Sequence, residues 1–239
     1  MKNIIQNQKT GILCSNDDDW YISLKKLIYN KDLRKRIGEN AYNICKKNYV
    51  TIYTGRKLVN HINTIANKHI GFFLPSLRVC GGIYVILKHA IILKDEGWDV
   101  DLILPRISID LFEFQKHKFN VISLEHTTMA AQYDVIVATF YTTLFSTLNY
   151  YRTKKHIYLV QGYETDFFPY GNYFRSIAEK TYYVPFSVEY VTISKWCENW
   201  LWEKYGKKSR YSPNGIDWDN FSSPSHRRNL KKKKNSYFN

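Results

Sequence analysis

The sequence predicts an α/β domain with a doubly wound parallel sheet over residues 69–221, preceded by a helical segment over residues 1–68. Two observations on the longer segment and one on the shorter lead to this prediction. Short apolar runs without polar alternation are typical of strands buried on both faces of a sheet. Helical stretches of about ten residues or more separate these runs, as crossovers between parallel strands require. The residues before His69 show helical spacing and no such runs.

The N-terminal segment is predicted to form helices. Asp17–Asp19 is an acidic start that caps and complements a helix N-terminus, and Asn30–Asp32 separates this helix from the next. The apolar stripes are Trp20, Leu24, Leu27 and Ile28, then Leu33, Ile37, Ala41 and Ile44, then Leu58, Ile62 and Ile65. Three short helices make a thin core, so we expect residues 51–68 to pack on the α/β layer.

Strands and helices alternate along the remainder of the chain. The predicted strands are 70–74, 100–104, 121–124, 135–138, 156–160 and 191–193. The predicted helices are 83–96, 107–117, 141–151, 173–182 and 195–205. Trp196 and Trp200 lie four positions apart on the last helix, which favours packing in the core over stacking on nucleic-acid bases. Residues 222–239 are polar and non-periodic and include Lys231–Lys234, which predicts a basic disordered tail.

The net charge of +14 is unevenly distributed. Residues 1–70 carry 13 basic and 5 acidic side chains, residues 71–221 carry 16 of each, and residues 222–239 carry 6 basic and no acidic ones. The α/β segment is therefore neutral, whereas a nucleic-acid-binding fold would carry its basic patch on the folded domain, so no nucleic-acid partner is expected. The basic helices suit either an anionic membrane surface or plain solvation.

Nothing in the sequence predicts a membrane span, a secretion signal or a metal site. No stretch approaches about 20 uninterrupted apolar residues, and the N-terminus lacks a signal-peptide core. We expect a cytoplasmic protein, with peripheral association at the inner membrane face as an open alternative. Cys14, Cys45, Cys80 and Cys197 form no C-x-x-C pair, which favours buried free thiols over zinc ligands.

Ligands of open parallel sheets bind beyond the carboxyl ends of the strands, and the first candidate loop there is Ser76–Gly82. Its glycines, Gly81 and Gly82, let the backbone approach a ligand at a helix N-terminus. The loop is not a G-x-G-x-x-G motif, and no acidic residue ends the second strand, so a nicotinamide dinucleotide is disfavoured. A simple tight turn is the alternative interpretation.

Two further loops carry candidate residues. Gln161 and Glu164 follow strand 156–160, where an amide and a carboxylate can bind a hydroxyl-rich ligand or place an acid/base group. Composition alone favours a solvated surface glutamate instead. Ser212–Asp217 contains an Asn-Gly pair, which is typical of an ordinary turn.

In combination these residues resemble the amino-terminal domain of a sugar-nucleotide-dependent glycosyltransferase of the two-Rossmann-domain (GT-B) architecture, family 4 type. Residues 73–82, with His89 and 97–100, resemble its opening strand, Gly-Gly loop and helix. Residues 159–164, 167–169 and 178–182 resemble the rhamnosyltransferase-like members, and 191–194 with 212–217 resemble the closing strand and hinge. Residues 10–68 resemble, separately, the closing helices of a carboxyl-terminal domain of such an enzyme.

The resemblance implies a Rossmann-like domain that is half of a GT-B fold. It also implies transfer of a sugar from a nucleotide sugar to a glycan acceptor, as in bacterial-type polysaccharide synthesis, with no metal or other cofactor. Gly81 and Gly82 would lie near the donor phosphate or the acceptor, and Gln161 and Glu164 near the reacting sugars. Ser194 would follow the closing strand, and Asn214, Gly215 and Asp217 would form the interdomain hinge. These four residues complete the expected substrate-binding set. No catalytic residue is assigned.

The nucleotide-sugar domain of a complete enzyme, with its E-x7-E carboxylates, is not found in this sequence. We therefore expect a partial hexosyltransferase-type enzyme that requires a second glycosyltransferase domain or chain. Two alternatives stay open, a non-catalytic module that binds carbohydrate or nucleotide sugar and an inactive truncated fragment.

Overall fold

A computed structural model describes residues 4–50, 56, 58, 68–78, 80–106, 119–124, 133–150, 153–184 and 187–216. The predicted helix at 107–117, Asp217 and the predicted tail at 222–239 lie outside the described residues. The described residues fall into two compact units. The N-terminal unit comprises those from 4 to 50 together with Gly215 and Ile216, and the α/β unit comprises those from Arg56 to Asn214.

The N-terminal unit contains two successive helices, α1 (Asp17–Tyr29) and α2 (Lys31–Asn48). Asp17–Asp19 form the acidic first turn of α1, as predicted, but the cap is Asn16, whose side chain accepts a hydrogen bond from the Asp19 N–H at 2.8 Å. Asn30 ends α1 and caps α2 through the Leu33 N–H, also at 2.8 Å. Ile37 of the second predicted stripe is buried, whereas α1 has no buried residue.

The α/β unit is built on a seven-stranded parallel sheet in the order β3-β2-β1-β4-β5-β6-β7. The strands are β1 (His69–Phe73), β2 (Asp99–Leu104), β3 (Asn120–Ser123), β4 (Tyr133–Ala138), β5 (Thr153–Val160), β6 (Val188–Thr192) and β7 (Ser209–Tyr211). This confirms the predicted parallel-sheet α/β class, and the fold is Rossmann-like. The strand order reverses between β1 and β4, where Ile70 pairs with Val135.

Four helices of the α/β unit follow strands in the chain. They are α3 (Gly81–Asp95), α4 (Tyr141–Tyr150), α5 (Tyr173–Lys180) and α6 (Lys195–Tyr205). The predicted helix at 83–96 begins two residues earlier than expected, because Cys80 takes the extended cap conformation and the two glycines enter the first turn. Gly97, at φ +83°, follows α3 in the left-handed conformation that terminates helices. The structure adds β7, which was not among the predicted strands.

Both faces of the sheet are covered, as a doubly wound arrangement requires. On one face Ile70, Phe72 and Val135 pack with Ile86 and Leu93 of α3. Leu58 is helical and buried in the same cluster, so the expectation that 51–68 packs on this layer is met at that residue. On the other face the core residues are Ala138, Leu144, Tyr158, Val160, Tyr182, Tyr190, Cys197, Trp200 and Leu201.

Two expectations about side-chain burial need correction. The four cysteines are free, but of these only Cys197 is buried, and Cys80 is exposed at the start of α3. Trp200 lies in the core, whereas Trp196 is exposed and contacts Trp200 at a ring-centroid distance of 6.0 Å. An i, i+4 pair shares a helix side, but only Trp200 packs among the buried rings, against Tyr163 and Tyr182. Among the described helices, none combines the length and apolarity needed to cross a bilayer.

Candidate functional site

A cavity of about 490 Å³ lies at the carboxyl end of the sheet, around the point where the strand order reverses. We call it the strand-end cavity. Successive strand ends contribute Ser76 after β1, Thr139 after β4, Gln161 after β5, Ile193 after β6 and Asn214 after β7. Its size is in the usual range of small-molecule sites, and its position is where open α/β sheets bind ligands.

The N-terminus of α3 forms one wall of the strand-end cavity. Cys80 makes no side-chain cap, and the first helical hydrogen bond runs from the Tyr84 N–H to the Cys80 carbonyl at 3.0 Å. The N–H groups of Gly81, Gly82 and Ile83 precede that bond, and all three residues line the cavity. Such N–H groups carry partial positive charge and can bind an anionic group.

The two glycines serve different purposes. A Cβ built on Gly82 would lie 3.3 Å from Nε2 of Gln161, so glycine there allows the Gln161 amide to lie against the first turn of α3. A Cβ on Gly81 would meet nothing within 4 Å, and its φ is not left-handed. The fold therefore does not require glycine at position 81, and the missing side chain leaves the space to the cavity. A tight turn alone does not account for this residue.

Glu164 is buried in the wall of the strand-end cavity, with 2% of its surface exposed. Its Oε2 accepts hydrogen bonds from the Tyr141 N–H at 2.6 Å and from the Tyr158 hydroxyl at 3.0 Å. Burial raises the pKa of Glu164 to about 8, although both hydrogen bonds act in the opposite direction. The interpretation of Glu164 as a solvated surface residue is therefore wrong.

Buried tyrosines hold Glu164 in place. The Glu164 N–H donates to the Tyr182 hydroxyl at 3.1 Å, and the rings of Tyr158 and Tyr182 stack at 6.4 Å. Burial raises the pKa of Tyr158 well above its ordinary value, so its hydroxyl remains a hydrogen-bond donor. Oε1 of Glu164 accepts no hydrogen bond from the described residues and is therefore available to a ligand.

Thr139 fastens the ends of the two strands at the reversal point. Its hydroxyl donates to the Phe73 carbonyl at 2.8 Å, and its N–H donates to the Thr143 hydroxyl at 3.0 Å. The next residue, Phe140, lines the cavity and stacks on Phe167 at 6.2 Å. Thr139, Phe140 and Phe167 line the cavity but were not among the predicted site residues. Ligands of parallel sheets bind beyond the carboxyl ends of the strands, which we call the strand-end rule. Applied to the predicted strand 135–138, this rule would have found Thr139 and Phe140.

Of the remaining predicted site residues, Asn214 lines the cavity and Ser194 does not. The buried Oδ1 of Asn214 has no hydrogen-bond partner among the described residues. The Ser194 hydroxyl instead accepts the Cys197 N–H at 3.1 Å and caps α6, and Ser194 is not among the lining residues. Gly215 belongs to the N-terminal unit, and the boundary between the units falls just before it.

The chemistry of the strand-end cavity is that of a small-molecule site with one acid. Within the part of the chain that is described, Glu164 is the one carboxylate in its wall. No group of three or more His, Cys, Asp or Glu side chains there could hold a metal ion. The amides of Gln161 and Asn214 supply neutral polar groups, and Ile83, Val85 and Phe140 supply apolar ones.

The fold and the cavity define the larger unit as a Rossmann-like α/β domain with a cavity at its strand reversal. Neither the protein-family models nor the curated proteins compared with this chain match it.

Proposed function

We propose that the α/β unit is the acceptor-side domain of a glycosyltransferase that moves a sugar from a nucleotide sugar to a glycan acceptor. The observation that carries the proposal is the convergence of Gly81, Gly82, Gln161, Glu164 and Asn214 on the strand-end cavity. These are residues of the motifs that resemble family 4 GT-B enzymes. They come from three segments of the chain that are far apart in sequence.

The cavity wall suits a reacting sugar and an adjoining phosphate. The Gln161 amide can hydrogen-bond hydroxyls of a sugar ring. So can Oδ1 of Asn214 and Oε1 of Glu164, which have no hydrogen-bond partner among the described residues. The N–H groups in the first turn of α3 can receive a phosphate oxygen, so no metal is needed to neutralise its charge. Apolar side chains such as Ile83 and Phe140 can pack against the C–H faces of the ring.

The proposal includes a second glycosyltransferase domain or chain that supplies the other half of the nucleotide-sugar site. It also includes action in the cytoplasm in bacterial-type polysaccharide synthesis, with association at the inner membrane face through the basic helices as an open element. Under this proposal Glu164 binds an acceptor hydroxyl. Its neutral form, which burial favours, donates as well as accepts.

A second candidate function is non-catalytic binding of a sugar or nucleotide sugar. It is favoured by the single carboxylate in the described cavity wall, and by the use of its Oε2 to cap α4 and hold Tyr158. A site with this geometry can bind a polyhydroxylated ligand without performing transfer.

The test is a transfer assay beside a binding assay on the purified full chain. Labelled UDP-, dTDP- and GDP-sugars are incubated with polysaccharide acceptors, and the same nucleotide sugars are examined by saturation-transfer difference NMR. We expect binding that falls at least tenfold in Gln161→Leu and stays unchanged in Asn199→Leu, a matched amide change at an exposed position of α6. Turnover by the chain alone, or together with a separately expressed carboxyl-terminal domain of a family 4 GT-B enzyme, supports the transferase. Binding without turnover under both conditions supports the second candidate. No binding of any of these compounds contradicts both.

A further inference from the structure

Along the chain, a row of exposed aromatic side chains extends from the wall of the strand-end cavity into the first turn of α5. Phe167 lines the cavity and is 62% exposed, and the row continues with Tyr170, Tyr173 and Phe174, which are 90%, 72% and 52% exposed. We call these four side chains the aromatic platform. So many exposed aromatic groups beside one cavity mark an interaction surface.

The platform is continuous with the aromatic residues of the fold. Phe167 stacks on Phe140 at 6.2 Å, and Phe174 contacts the half-buried Phe168 at 5.8 Å. Phe168 in turn meets the buried ring of Tyr141 edge-on at 5.7 Å, and Tyr173 meets Phe174 at 5.7 Å. The exposed rings of Phe167 and Phe174 are therefore supported by Phe140, Phe168 and Tyr141, at and near the start of α4.

Arg175 holds the platform's backbone in one conformation. Its guanidinium donates to the carbonyls of Thr165 at 3.0 Å and Phe168 at 2.8 Å, and it pairs with Asp166 at 3.1 Å. The same guanidinium lies 4.1 Å from the centroid of the Tyr170 ring. A turn fixed in this way presents its rings at little further cost in conformational entropy when a ligand binds.

The charge of the chain segment that carries the platform is balanced. Between Asp166 and Lys180 there are two acidic side chains, Asp166 and Glu179, and two basic ones, Arg175 and Lys180. An anionic membrane surface would be attracted by an excess of Lys and Arg, which this region lacks. A neutral, amphipathic ligand fits better, because tyrosine and phenylalanine rings offer apolar faces and the tyrosine hydroxyls offer hydrogen bonds at their rims.

We infer that the aromatic platform binds the sugar rings of a neutral glycan acceptor that extends out of the strand-end cavity. The C–H face of each pyranose packs on a ring, and its hydroxyls reach the hydroxyls of Tyr170 and Tyr173. This inference rests on the proposed function, and it adds the acceptor's class, a neutral oligosaccharide longer than the single sugar that the cavity receives.

The test is an array of neutral and acidic bacterial oligosaccharides probed with the full chain. We expect binding to at least one neutral glycan, reduced tenfold or more in the double variant Tyr170→Ala/Tyr173→Ala. Tyr29→Ala, a change of a tyrosine that is 80% exposed on α1, is the matched control and should bind like the wild type. The single variant Tyr173→Ala should give an intermediate loss and serves if the double variant melts early.

Three results would overturn the inference. The first is that no neutral glycan binds, and the second is that the double variant binds glycan as well as the wild type does. The third is that the double variant keeps glycan binding but no longer sediments with anionic vesicles or no longer self-associates. Nucleotide-sugar binding, measured separately by NMR on the wild type, keeps the two ideas distinguishable. If the wild type binds nucleotide sugars but the double variant leaves glycan binding unchanged, only the inference about the platform fails. If it is absent, the proposed function fails.

Discussion

The substitution Glu164→Gln tests the strongest electrostatic feature of the site. Glutamine keeps the shape of the side chain, and its carbonyl oxygen can still accept the Tyr141 N–H and the Tyr158 hydroxyl that now meet Oε2. What the substitution removes is the titration. Burial raises the pKa of Glu164 from 4.5 to about 8, so the folded protein holds a proton that the unfolded chain releases.

The sign follows from proton linkage. Between about pH 4.5 and 8 the native state binds more protons than the unfolded state, so stability falls as pH rises. Relative to glutamine, the stability that the protonated carboxyl provides is fully present below about pH 4.5 and is lost as the pH rises through about 8. At about 1.4 kcal/mol for each pKa unit, the full loss is at most about 5 kcal/mol.

The assay is urea unfolding of the wild type and Glu164→Gln at intervals between pH 5 and 9. Most other titrating groups are shared, so the difference in unfolding free energy isolates Glu164. We expect that difference to shift against the wild type with rising pH by several kcal/mol. Glu203→Gln, on the exposed side of α6, should give a nearly flat difference. The reasoning is refuted if the unfolding free energy of the wild type minus that of Glu164→Gln stays constant or increases as the pH rises.

Three further predictions concern other parts of the fold, each with a matched control measured by denaturant unfolding or ligand titration. Asp101→Asn should lower the free energy of unfolding by about 1–3 kcal/mol, because buried Asp101 accepts hydrogen bonds from the Tyr133 hydroxyl at 2.9 Å and the Asn120 amide at 3.0 Å. Its control, Asp99→Asn at an exposed position, should lower it little. Trp200→Ala should cost about 3–5 kcal/mol and the exposed Trp202→Ala under about 1 kcal/mol; equal costs would contradict the core placement. Gly81→Ala should leave the free energy of unfolding unchanged or slightly raised, as its control Gly38→Ala should, because a Cβ at either position meets no atom within 4 Å. Gly81→Ala should weaken nucleotide-sugar binding, whereas Gly38→Ala should not. A loss of stability in Gly81→Ala would show that position 81 requires glycine.

The sequence is most informative about the elements themselves. Pro75 and Gly97 mark ends that the structure reproduces within a residue or two, because proline and a left-handed glycine act locally. The strand at 209–211 went unpredicted, since a three-residue edge strand carries no periodicity. The first turn of α3 was placed two residues late, because glycine is a poor helix former and the Gly81-Gly82 pair was assigned to the preceding loop.

The strand-end rule explains why part of the site could be predicted. Gln161 directly follows β5 and Gly82 lies in the helix after β1, and in a parallel sheet the carboxyl ends of all strands lie at one edge. Asn214 follows β7, which was not predicted, so the resemblance alone pointed to it. Ser194 also follows a strand, yet its hydroxyl is used as a helix cap, a choice that depends on where α6 begins. Phe167 could not be found in this way, because its place beside Phe140 depends on how two separate loops pack.

By itself, then, the sequence determined the α/β class, because buried parallel strands must be apolar and their crossovers must be helical. Only the tertiary structure decided the state of Glu164. Its partners, Tyr141, Tyr158 and Tyr182, come from three different elements, and their packing removes the water that would otherwise keep the carboxylate charged. The tertiary structure also placed β1 beside β4, and this pairing of strands distant in the chain opens the cavity at the sheet's reversal point.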